Sequence, residues 1–106
     1  MLVKLTTTKP TLLLNANPLR KRFMIQMQPS SVDSNNTGRI HIGKGFQPVA
    51  TVGHPSQGEV LIQSAVIEEY KRYKEDTLPY KGPIWAVSSK TNQTLIVEEE
   101  VEERRI

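Results

Sequence analysis

The sequence predicts an all-β fold, a small β-sandwich or jelly-roll-like barrel with extended termini and one short helix. Three observations carry that expectation. Short apolar segments alternate with polar residues at period two, as half-buried strands require. Clusters of Gly, Pro, Asn and Ser interrupt them at short intervals, giving six to eight strands in sequence, the pattern of a sandwich or barrel. The chain has 106 residues, of which 37% are hydrophobic and only 6% aromatic, so one core must be built mainly from Val, Ile and Leu. We divide it into an extended N-terminal arm (1–10), a β-sandwich domain (11–99) and a charged C-terminal tail (100–106).

The arm contains Thr6, Thr7 and Thr8, which favour extended backbone, and Pro10, which has no N–H for a ladder. Thr11 to Leu14 reads as a short strand, turned by Asn15-Ala16-Asn17-Pro18. Leu19 to Gln28 is the clearest strand. Leu19, Lys21, Phe23, Ile25 and Met27 share its core face, while Arg20, Arg22, Met24, Gln26 and Gln28 share the other. Pro29 ends it, and Ser30 to Gly38 is a polar loop. Arg39-Ile40-His41-Ile42 alternates again, with the isoleucines inward and His41 toward solvent. Val49 to Val52 and Glu59 to Gln63 read as strands around a Gly53-to-Gly58 turn. Between Ser64 and Asp76, Val66, Ile67, Tyr70 and Tyr73 recur at helical spacing, and Ser64 is placed to cap a short helix. Pro79 to Pro83 breaks the chain before the last two strands, Ile84 to Ser88 and Thr94 to Val97.

Charge and cysteine content narrow the function classes. The net charge is +3, but it is uneven: Arg20, Lys21 and Arg22 form one basic run, and Glu98, Glu99, Glu100, Glu102 and Glu103 crowd the C-terminus. Two readings of this polarity stay open, simple solvation or head-to-tail association of copies. The chain has no cysteine, which excludes disulfides and thiolate metal sites. The longest apolar run, Leu12-Leu13-Leu14, falls far short of the ~20 residues of a membrane helix. The first residues lack the apolar stretch and cleavage site of a signal peptide, so the protein is expected to be made in a cytoplasm and used there or in a particle assembled there.

Several motifs imitate chemistry without completing it. Asp33-Ser34-Asn35-Asn36-Thr37-Gly38 starts like a calcium loop, but the position that must supply a bidentate carboxylate holds Lys44. Gly38 to Gly45 spells most of a phosphate loop, yet its interior is a strand and Gly45 stands where a hydroxyl should hold magnesium. His41 and His54 have no partner at metal-ligand spacing. Glu68 and Glu69 are adjacent and so point to different sides, which suits solvated charges better than a catalytic pair. With no cysteine nucleophile and no nucleophile elbow, the chain is not expected to be an enzyme or to hold a metal or cofactor.

The candidate interaction residues are Arg20, Arg22, Tyr80, Trp85, Glu98 and Glu99. Arg20 and Arg22 on one strand face could neutralise only two phosphates, and no aromatic lies beside them, so nucleic acid is an improbable partner. Acidic groups of a neighbouring protein suit these arginines better. Trp85, the only tryptophan, reads either as a core anchor or as the hot spot of an interface.

The order of signals resembles a known group. Asn17-Pro18-Leu19-Arg20 enters a strand, Gly38 to Gly45 follows, then Gly82-Pro83-Ile84-Trp85-Ala86-Val87-Ser88, and the chain closes on Val97-Glu98-Glu99. Over residues 14 to 99 this resembles small virion proteins of tailed bacteriophages, with their "N-P-x-R" strand entry, "G-x-I-W-A-x-S" strand and final "V-x-E" strand. The resemblance implies a non-enzymatic structural protein located in the virion, most simply a capsid decoration or cement subunit. Its partners would be the major capsid protein or another virion protein, and copies of itself in a trimer. It carries no catalytic residues across. The stretch from Ser64 to Asp76 and the acidic tail depart from the pattern. A tail, connector or head-fibre-anchoring role and a small nucleic-acid-binding barrel are the alternatives.

Overall fold

A computed structural model of the chain describes residues 1–70 and 79–102. Eight strands are present among them: β1 (Leu2–Leu5), β2 (Thr11–Leu14), β3 (Arg20–Met27), β4 (Ile40–Lys44), β5 (Glu59–Leu61), β6 (Val66–Tyr70), β7 (Ile84–Ser88) and β8 (Gln93–Val101). They form two four-stranded antiparallel sheets, ordered β1-β8-β3-β6 and β2-β7-β4-β5. The pairing is nested. β1 pairs with β8, β2 with β7, β3 with β6 and β4 with β5, as in one long double ribbon folded at the β4–β5 connection. That ribbon is rolled so that β8 also meets β3 and β7 also meets β4. This is the strand order of a jelly roll, and the predicted all-β sandwich is therefore correct.

The alternation along β3 explains why it sits inside its sheet. Phe23, Ile25 and Met27 are buried and face the second sheet, joined in the interior by Leu95 and Val97 of β8. Ile40, Ile42, Leu61, Ile84, Ala86 and Leu14 supply the opposing layer. Apart from Ala86, each of these apolar side chains contributes about 1.5–3 kcal/mol when fully removed from water. The aromatic-poor composition is thus sufficient for one dry layer between two sheets.

Four local expectations are corrected. The first is the helix from Ser64. Val66–Tyr70 is the edge strand β6, in register with β3, and Ser64 does not cap a helix but turns the chain at φ +66°. Val66 and Ile67 are adjacent and fall on opposite faces of the strand, so no period-two pattern marks it; β-branched side chains favour extended backbone, and pairing to β3 decides. The rest of that stretch, 71 to 76, lies outside the described residues. The second is the strand expected at Val49 to Val52, which is loop.

The third is His41, which is fully buried rather than facing solvent. It does point to the outer face of its sheet, but the loop from Gly45 to Gly58 folds over that face. Gly43, in the next outward position, lies so close beneath the loop that a Cβ there would stand 2.2 Å from the Phe46 carbonyl oxygen. Gly58 returns the chain at φ +67°, with no room for a side chain beside the Ile42 carbonyl. The fourth is the face of Arg20. In the register of β3 against β8, Arg22 opposes Glu100 and Arg20 opposes Val101, so Lys21 is an extra residue on β3. This bulge rotates the strand and carries Arg20 inward while Lys21 is exposed.

Strands reach into the expected arm and the start of the expected tail, of which 103 to 106 lie outside the described residues. Leu2–Leu5 is a strand of the chain's own sheet, and β8 runs on through Glu100 to Val101.

Candidate functional site

The two arginines of the basic run occupy different sites. Arg20 is 1% exposed. Its Nε donates to Glu99 Oε2 at 2.7 Å, Nη1 donates to the carbonyls of Tyr80 (2.9 Å) and Gly82 (3.0 Å), and Nη2 donates to the Asn15 carbonyl at 2.6 Å. The guanidinium also lies 5.8 Å from the Phe23 ring centroid. A planar fork of fixed donors suits this task, because it joins β8 and two loops at once. Every partner is needed, since a buried cation without them would be strongly destabilising.

Arg22 lies on the outer face of the first sheet among three carboxylates. It meets Glu68 of β6 at 2.7 Å, Glu98 at 3.2 Å and Glu100 at 3.5 Å. The strand register explains the cluster: Arg22 stands opposite both Tyr70 and Glu100, and Met24, one step along, stands opposite Glu68 and Glu98. Hydrogen bonds that Arg22 donates to Glu68 first, then Glu98, hold its pKa above even its usual high value.

A third ion pair crosses between the sheets. Lys44 Nζ of β4 donates to Glu69 Oε2 of β6 at 2.6 Å, and Glu59 stands 3.7 Å away. Glu69 Oε1 accepts from the Tyr80 N–H at 2.9 Å. The Glu69 hydrogen bond holds the lysine pKa above its ordinary value. Glu68 and Glu69 thus point to opposite sides of β6, as adjacent residues must, and both are paired.

The calcium-like loop has a structural use. Asp33 Oδ1 accepts from the Asn35 N–H, and Oδ2 accepts from the Thr94 hydroxyl. Those two bonds, the hydroxyl's first, depress the Asp33 pKa. Buried Asn36 bridges Gln28 and Thr94 through both ends of its amide. Together they tie the loop to the ends of β3 and β8. His41 Nδ1 lies 2.9 Å from the Gln57 carbonyl oxygen, which requires the proton on Nδ1, and Nε2 is buried without a partner. His54 Nδ1 accepts from the Ser56 N–H within its turn. Among the described residues no three His, Asp or Glu side chains group as metal ligands, and no helix is long and apolar enough to cross a membrane.

The six candidate residues therefore separate into three places. Arg20, Glu99 and the Tyr80 backbone form the buried clamp, with the Tyr80 hydroxyl set against Gly45 and Gly82. Arg22 and Glu98 form the surface cluster. Trp85 is half-buried on the outer face of the second sheet, between Leu12 and Gly43, and is not a core anchor. Glu68, Glu69, Lys44 and Glu100 were missed as partners. Alternation gives the side of each, but only the pairing of β3 with both β6 and β8 brings them to the arginine. Glu98, Glu99 and Glu100 of the acidic segment meet Arg20 and Arg22 of the basic run within one chain.

Comparison of the chain with models of protein families, with curated proteins and with solved structures gives no match in any of the three.

Proposed function

We propose that the chain is a non-enzymatic structural protein of a bacteriophage virion, a decoration or cement subunit that acts through protein–protein contacts. The observation that carries the reading is the nested strand order β1-β8-β3-β6 over β2-β7-β4-β5. Jelly rolls recur in viral capsid domains as well as in lectins and cupins, so this is support by analogy of fold. The short sequence signals around Asn17-Pro18, Gly82 to Ser88 and Val97-Glu98 point the same way.

The polar groups agree with a role in contacts rather than chemistry. The charged side chains that converge here are engaged with one another, and the depression beside Arg22 is shallow, lined by Lys21, Glu68, Tyr70 and Glu100 as well. The nucleic-acid reading is the weaker one, because Arg20 is buried and Arg22 is surrounded by three carboxylates, leaving little positive potential for phosphates.

Antibody raised against the purified chain, applied to particles released from cells that carry its gene, tests the proposal. Regular labelling of particle heads is expected. Label confined to unassembled protein would overturn the reading. An oligonucleotide bound at physiological salt, with binding that falls steeply as salt rises, would favour the barrel alternative.

A further inference from the structure

The first sheet ends in two strands whose outer edges no described strand covers, β1 on one side and β6 on the other. Their hydrogen-bonding phase can be read from the bonds at each strand's end. Met1 and Val97 exchange both backbone bonds at 2.8 Å. Antiparallel ladders alternate bonded and non-bonded pairs, so Val3 with Leu95 and Leu5 with Gln93 are the next bonded pairs. Leu2 and Lys4 consequently turn their N–H and C=O groups to the open edge. On the other side the Met27 N–H donates to the Ala65 carbonyl at 3.0 Å. By the same alternation Ile67 and Glu69 bond to β3, and Val66 and Glu68 face the open edge.

We infer that β1 of one copy adds to β6 of the next, continuing the first sheet from subunit to subunit. The direction is right: with an even number of antiparallel strands, β1 and β6 run oppositely and can pair without turning either copy over. The phase is also right, because edge-facing residues are even-numbered on both strands and carry the outward side chains. Two registers satisfy it. One sets Lys4 against Glu68 and Leu2 against Tyr70; the other sets Lys4 against Val66 and Leu2 against Glu68. Charge selects the first, which matches opposite charges and leaves apolar side chains opposite one another. On the inner side that register continues Leu5 onto Ile67. Leu2, Val66 and Tyr70 are 65%, 50% and 41% exposed, an apolar surface that such an addition would cover.

The only charge of β1 is Lys4, and the charges of β6 are Glu68 and Glu69, so unlike edges attract. Full overlap of β6 with its own copy would instead set Glu68 against Glu68. Arg22 engages Glu68 through Oε2 alone, so the carboxylate has a second oxygen for Lys4. The contact is heterologous, and copies joined this way close into a ring or extend as a fibre. The inference names a second copy of the chain as a partner in the protein–protein contacts of the proposed function and rests on that reading.

Light scattering on the full chain over a concentration series tests it, with Lys4→Pro, Lys4→Glu and Lys9→Glu beside the wild type. Proline at 4 removes an edge donor without breaking a bond to β8. Lys9→Glu makes the same charge change in an exposed position off the edge. We expect whole-number multiples of the monomer mass that grow with concentration, and their loss in Lys4→Pro. Lys4→Glu should weaken association at least about fivefold, with Lys9→Glu close to wild type. A wild type monomeric up to about 1 mM overturns the inference, as does equal association of Lys4→Pro. If circular dichroism shows that Lys4→Pro does not fold, equal behaviour of Lys4→Glu and Lys9→Glu overturns it instead. A monomer that still labels particle heads would sink the edge pairing alone, whereas assembly without particle labelling would sink the virion reading alone.

Discussion

Arg20 and Arg22 stand two residues apart on β3, carry the same guanidinium, and both meet glutamates of β8, yet they end in opposite surroundings. Arg20 has a fully buried side chain, one carboxylate and three carbonyl acceptors; the Arg22 side chain is 23% exposed among three carboxylates, the outermost of which is 54% exposed. A single inserted residue separates these outcomes, since without the bulge at Lys21 both would share the outer face. The lesson is that the number of ion pairs says little about the strength of a site. Arg22 has more of them, but water and salt compete for each. Arg20 has fewer, but removing it would empty a buried position and leave a part-buried carboxylate and three carbonyls without the donor that joins them.

The largest test of that contrast is Arg20→Ala, which should destabilise the domain by about 3–5 kcal/mol in urea unfolding. A loss under about 1 kcal/mol would show that the clamp is as weak as a surface pair. Arg20→Lys sharpens the comparison, because an ammonium keeps the charge but cannot span the three carbonyls and Glu99 together. A loss of about 2 kcal/mol is expected, between the alanine variant and wild type. Lys44→Met probes the intermediate case, a half-buried pair across the sheets, and should cost about 1 kcal/mol near neutral pH. The sign of its pH dependence is fixed by the raised lysine pKa: the stabilisation is complete below the ordinary lysine range and lost as pH rises through the folded value. Lys44→Met should therefore flatten the alkaline limb of a stability–pH curve. The smallest effect belongs to Arg22→Ala, a slight loss at low salt that vanishes against wild type in about 1 M NaCl, where exposed ion pairs are screened. An Arg22→Ala loss as large as that of Arg20→Ala would break the comparison.

Much of the sandwich was legible in the sequence. Period-two alternation located β3 and β4, and proline and glycine marked where most strands stop. What was hidden depends on strand neighbours. Val66, Ile67 and Tyr70 share a helix face but not a strand face, so local spacing favours the wrong element, and only the pairing that sets Ile67 opposite Ile25 overrides it. His41 read as solvent-facing because alternation reports the side of a sheet, not whether a loop lies over it. Trp85 was noticed as a large aromatic, but its outer face follows from its position between Leu12 and Gly43. The acidic C-terminal run and the basic run were both visible, whereas their meeting required β8 to lie beside β3. Arg20 was the least legible, because a bulge changes a residue's face without leaving any mark in composition.

The nested strand order also sets a timetable. Leu2 pairs with Ile96, so β1, once synthesised, waits for β8. At about 5–20 residues per second, that wait lasts several seconds, comparable with the slow end of folding for domains dominated by distant contacts. Throughout it Leu2, Val3 and Leu5 form an unsatisfied sticky segment, and the neighbouring chains on the same message carry that segment too. The first strand is therefore the part of this molecule most exposed to premature capture, and holding it until β8 emerges is the kinetic problem its topology poses to the cell.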